Sequence, residues 1–73
     1  MKRITRLRLD KEWSKAELAR RAQVHPSQIG LFESGRLIPY PSQLIKLAAA
    51  LGVDESVDLM AEADVTEAAR IAQ

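Results

Sequence analysis

The chain of 73 residues contains no cysteine, which excludes disulfides, cysteine-ligated zinc and thiol catalysis. Its one histidine, His25, cannot build a metal site from imidazoles, and no metal or other cofactor is expected. No apolar run approaches the roughly 18 residues that a membrane span requires. Met1-Lys2-Arg3 is basic, but no apolar segment follows it as in a secretory signal. A soluble cytoplasmic protein without a membrane partner is the expectation. Strand-like alternation, internal repeats and low-complexity stretches are also missing. Catalysis finds no support: there is no Ser/His/acid set with a plausible pocket, no phosphate-binding glycine loop, and too little chain for a substrate cleft.

What is present is helical. Ala and Leu are abundant, while glycine, proline and aromatic residues number three each. One domain is all that this length permits, and a domain so small buries only about 60% of its unfolded surface. Net charge is +1 overall. It is unevenly spread: residues 1–36 hold nine Lys/Arg against four Asp/Glu, residues 37–73 two against six. The basic half is the one suited to a polyanion.

Punctuation divides the chain into helices. An apolar stripe begins at Ile4 and Leu7 and runs to about Glu12. Ser14-Lys15-Ala16-Glu17 is a capping box, in which the serine hydroxyl accepts from the Glu17 N–H and the glutamate reaches back. It opens a second helix from Lys15 to about Ala22. Pro26 opens a third, with Ile29 and Phe32 on one face, and Gly35 ends it. Pro41 opens a fourth, where Leu44, Leu47, Ala48 and Leu51 fall at i, i+3, i+4 and i+7 before Gly52. Asp54 can cap a fifth that carries Val57, Met60 and Ala61. A tail over 63–73, with Val65, Ala68, Ala69 and Ala72 on one face, would continue it or form a sixth. The fold expected is all-α: a compact bundle of five short helices, with a domain over 1–62 and a helical tail that could mediate oligomerisation.

The second and third helices, separated by about three residues, form a helix-turn-helix corner. Around that corner the sequence resembles the lambda-repressor/Cro family, the XRE-like helix-turn-helix domains, over Ile4 to Met60. The matching residues are Leu7-Arg8, Trp13 to Ala19, Ala22, Val24, Ile29, Phe32 to Arg36, Pro39, and Leu44 to Val53. The resemblance implies a third helix, about 26–34, that enters the major groove. Its outward positions are then Pro26, Ser27, Gln28, Gly30 and Leu31. Gln28 would pair with adenine, Ser27 would serve a base or a phosphate, and Leu31 would pack on a thymine methyl, meet a protein, or simply be exposed. Pro26 and Gly30 offer no side-chain hydrogen bonds. Phosphate contacts fall to Ser14 and Lys15 at the start of the second helix, to Arg36 after the third, and to His25. His25 stands where the family usually has Ser or Thr, so it either caps the third helix or touches phosphate. Gln23 holds a place often given to glycine; a positive φ there would cost about 1 kcal/mol. Arg8 and Glu33 are implied as a structural ion pair that joins the first helix to the end of the third. Trp13, at the first corner, reads as a core plug.

Two functions compete. One is a sequence-specific transcriptional regulator that binds double-stranded DNA, as a homodimer on a palindromic operator, with Val57, Met60 and the tail as interface candidates. The other is an antitoxin-like or adaptor module on the same fold, whose partner is a protein.

Overall fold

In a computed structural model of the protein, residues 1–63 are described. They form four helices: α1 (Arg3–Asp10), α2 (Lys15–Ala22), α3 (Pro26–Ser34) and α4 (Pro41–Leu51). No strand is present among the described residues; one isolated antiparallel bridge joins Lys2 to Glu62. The apolar faces anticipated from spacing converge on one core. Ile4, Leu18, Ala19, Ala22, Ile29, Phe32, Leu47, Ala48, Leu51 and Leu59 are buried, with Leu7, Trp13, Val24 and Leu44 packed against them. The α2 helix lies between α3 and α4 and packs on both.

All four helices stop in the same way. Past each helix a residue turns left-handed, directly after α2, α3 and α4 and one residue later after α1, where Lys11 stays right-handed. The next N–H bonds back across the end of the helix, as in a Schellman motif. The bonds are Trp13 N to Arg8 O at 3.2 Å, Val24 N to Ala19 O at 3.0 Å, Arg36 N to Leu31 O at 3.0 Å and Val53 N to Ala48 O at 3.0 Å. Glycine supplies the left-handed residue twice, Gly35 at φ 81° and Gly52 at φ 73°. Glu12 at φ 59° and Gln23 at φ 58° do it without that freedom. The strain anticipated at Gln23 is therefore real, and Glu12 shares it.

The fifth helix does not form. Residues 54–61 are instead two successive turns, and the cause is visible in the aspartates. The Asp54 Oδ1 accepts from Ser56 N at 2.8 Å, and the Asp58 Oδ1 accepts from Met60 N at 3.1 Å. Each carboxylate thus takes the N–H two residues on, and a local loop replaces the helical ladder. The segment also has another task. Ile4 N donates to Leu59 O at 2.9 Å and Arg3 N to Ala61 O at 2.7 Å, so these carbonyls satisfy N–H groups that the first turn of α1 leaves open. Arg3 Nη1 donates to Asp58 O at 2.7 Å and Lys2 Nζ to Met60 O at 3.3 Å. Val57 and Met60, weighed above as interface residues, are half-buried against the chain's own core. The expected sixth helix, with Val65, Ala68, Ala69 and Ala72, lies outside the described residues.

Candidate nucleic-acid interface

The corner between α2 and α3 is built from two caps. At α2, Ser14 Oγ accepts from Glu17 N at 3.0 Å. The glutamate does not complete the box; its Oε2 turns to Arg20 Nη2 at 2.6 Å and Arg21 Nε at 3.6 Å. Lys15, the first residue of α2, is exposed beside this cap. At α3 the cap is His25, in extended conformation before Pro26. Its Nδ1 accepts from Ser27 N at 3.2 Å and lies 2.7 Å from Ser27 Oγ. A backbone N–H can only donate, so Nδ1 carries the lone pair and the neutral ring holds its proton on Nε2. Gln28 completes the box that Glu17 leaves open: its Oε1 accepts from His25 N at 3.3 Å. The sequence pattern did not reveal this role for Gln28, although a glutamine three residues after a cap is its signature.

Pro26, Ser27 and Leu31 are exposed on α3, Gln28 and Gly30 partly so. Space around Gly30 is open, with nothing within 4 Å of an added Cβ. The far face of the helix is fixed by Ile29 and Phe32, both fully buried. A buried ion pair ties its C-terminal end to α1. Arg8 Nε donates to Glu33 Oε2 at 2.7 Å and Arg8 Nη2 to Glu33 Oε1 at 3.1 Å, while Nη1 donates to Trp13 O at 2.8 Å. The side chains are only 10% and 7% exposed, so one guanidinium joins α1, the α1–α2 corner and the end of α3. Trp13 is not only a core plug. Arg21 Cζ lies 4.4 Å and Lys11 Nζ 5.2 Å from its ring centroid, a cation–π grouping that brings together residues far apart in sequence.

Beyond α3, Arg36 is exposed. Among the described residues neither it nor Lys15 has an ion-pair partner, whereas Arg6, Arg20 and Arg21 do. Leu37, Ile38 and Tyr40 follow in the loop to α4, the last two 76% and 72% exposed, and Ile45 on α4 is exposed as well. No described group of His, Asp or Glu could hold a metal ion.

A family model described as a helix-turn-helix domain matches residues 2–63. The chain belongs to that family. The match spans the whole described bundle and agrees with the lambda-repressor/Cro-like resemblance of the sequence. This helix-turn-helix domain therefore has the fold of a DNA-binding regulator. No curated protein and no solved structure matches the chain. None of its described helices is long and apolar enough to cross a membrane.

Proposed function

We propose that the protein is a sequence-specific transcriptional regulator that lays the N-terminal part of α3 in the major groove and binds a palindromic operator as a homodimer. The observation that carries the reading is where two of the exposed cations without an ion-pair partner, Lys15 and Arg36, stand. Lys15 opens α2 and Arg36 follows α3, so along the chain they bracket the helix-turn-helix. Arg36 is telling because of its place in the helix stop. The other three helices fill the equivalent position with Trp13, Val24 and Val53, all packed against the core. The fold gains nothing comparable from an exposed arginine there, while a DNA phosphate would. Ser14 and the His25 Nε2–H are further phosphate partners on the same rim, and Pro26, Ser27, Gln28 and Leu31 are the base-facing positions.

Selection from a random duplex library, with affinity followed against salt, tests this. A two-fold symmetric sequence should emerge. Lys15→Ala and Arg36→Ala should each weaken binding to all sequences and reduce the salt slope by about 1. A folded domain that enriches no sequence would refute the proposal.

A second reading, an adaptor or antitoxin-like module, is favoured by one observation only. Leu37, Ile38, Tyr40 and Ile45 expose apolar side chains in the loop after α3 and on α4. It predicts that Ile38→Ser with Tyr40→Ser abolishes partner capture and leaves DNA binding intact.

A further inference from the structure

Nothing inside the domain requires a glycine at position 30. Gly30 is the fifth of the nine residues of α3, with ordinary helical backbone, unlike Gly35 and Gly52, whose φ is positive. An added Cβ would meet nothing within 4 Å, so neither backbone conformation nor crowding accounts for it. Mid-helix glycine is also the weaker choice, because it surrenders more backbone freedom on folding than alanine does. In the free domain an alanine would serve better. Yet Gly30 is partly exposed on the outward side of the helix. Exposed Pro26 lies one turn before it on the same face, and exposed Leu31 follows it directly. The missing side chain leaves a shallow notch here that reaches to the backbone, and none of these three residues carries a polar side-chain group.

We infer, resting on the groove-reading orientation proposed above, that the notch at Gly30 seats the C5-methyl group of a thymine. Among the features that base edges present in the major groove, donors and acceptors predominate, and the thymine methyl is the apolar one. A surface made by Pro26, Gly30 and Leu31 has no side-chain hydrogen bond to give and matches that group. At Gly30 the methyl can approach as far as the helix backbone. A Cβ would stand in the space that the methyl takes, and would hold the helix away from the base. Gly30 is thus a specificity-determining residue: the glycine that weakens the free helix shapes the bound one.

Stability and recognition should respond to Gly30→Ala with opposite signs, which a purely structural role would not produce. The variant should melt about 2–8 °C above wild type. In selection from a random duplex library, wild type should enrich thymine at one position of each half-site. Replacing that thymine by deoxyuridine, which lacks only the methyl, should weaken its binding about fourfold. Gly30→Ala should bind the thymine site on the order of tenfold more weakly than wild type. It should also no longer distinguish thymine from deoxyuridine. Three results overturn the inference while leaving groove reading intact. One is equal affinity and equal sequence preference for the two proteins. Another is a difference between thymine and deoxyuridine that persists in Gly30→Ala. The third is a variant that melts below wild type and binds weakly for that reason. If folded wild type enriches no sequence, groove reading itself fails, and the role of Gly30 with it.

Discussion

Replacing Glu33 by Ala should be among the most damaging single changes available in this domain. It leaves the Arg8 guanidinium buried with one partner, Trp13 O, in place of three hydrogen bonds. Removing one member of a buried pair costs about 3–5 kcal/mol, most of it the desolvation of the charge left behind. A chain of 73 residues has a total stability of roughly 4–11 kcal/mol at ~0.05–0.15 kcal/mol per residue. The variant should therefore lose roughly a quarter of its stability or more. At roughly 4–8 °C per kcal/mol for a domain of this size, the midpoint falls on the order of 20 °C. Far-ultraviolet circular dichroism against temperature, with urea unfolding at 25 °C, would read both quantities. The companion is the double variant Arg8→Met with Glu33→Leu, which removes both charges and should lie within about 1–2 kcal/mol of wild type. A loss below about 1 kcal/mol for Glu33→Ala would refute the reasoning, since it would mean that water reaches the guanidinium.

Gly30→Ala should stabilise the free domain by about 0.5–1 kcal/mol, because the new methyl meets nothing within 4 Å; a lower melting temperature would show that α3 needs the glycine. Gln23→Gly should also stabilise, by up to about 1 kcal/mol, since φ 58° is relieved. Gly35→Ala should do the reverse, as its φ of 81° is left-handed and Lys2 Cε lies 3.1 Å from the added methyl; urea midpoints of the three variants decide. The Asp54 carboxyl is held below the usual carboxylate range by its hydrogen bonds from Ser56. Its contribution is therefore present at neutral pH and fades as pH falls through the lowered folded value. Asp54→Asn keeps the acceptor without the titration, so its urea midpoint should depend less on pH in the acid range; an unchanged profile would refute this.

Much of the bundle is legible in the chain because the signals are local. The Ser14 cap, the Pro26 start, the Gly35 stop and the Leu44–Leu51 stripe each depend on residues within two turns of one another. The segment at Asp54 misleads for a related reason. An aspartate that caps a helix and one that closes a short turn bond the same kind of N–H, and only the distant N–H groups of Arg3 and Ile4 favour the turn. On α3 the exposure of Ser27 and Leu31 follows from the pattern, but the engagement of Ser27 and Gln28 in the His25 cap does not; it is a matter of three-dimensional placement. Glu12 gave no warning either: its left-handed turn is imposed by the need to bring Trp13 N back to Arg8 O.

The carbonyls of Leu59 and Ala61 that complete the start of α1 stand more than fifty residues from it along the chain. During synthesis, at ~5–20 residues per second, the first helix would leave the ribosome seconds before the groups that finish it. Until then its leading turn is frayed, Ile4 has no Leu59 to pack beside, and the loop to be closed is nearly the whole domain. Folding should therefore be a single late event, with little protection of α1 from proteases in shorter nascent chains. The helix that is made first is secured last.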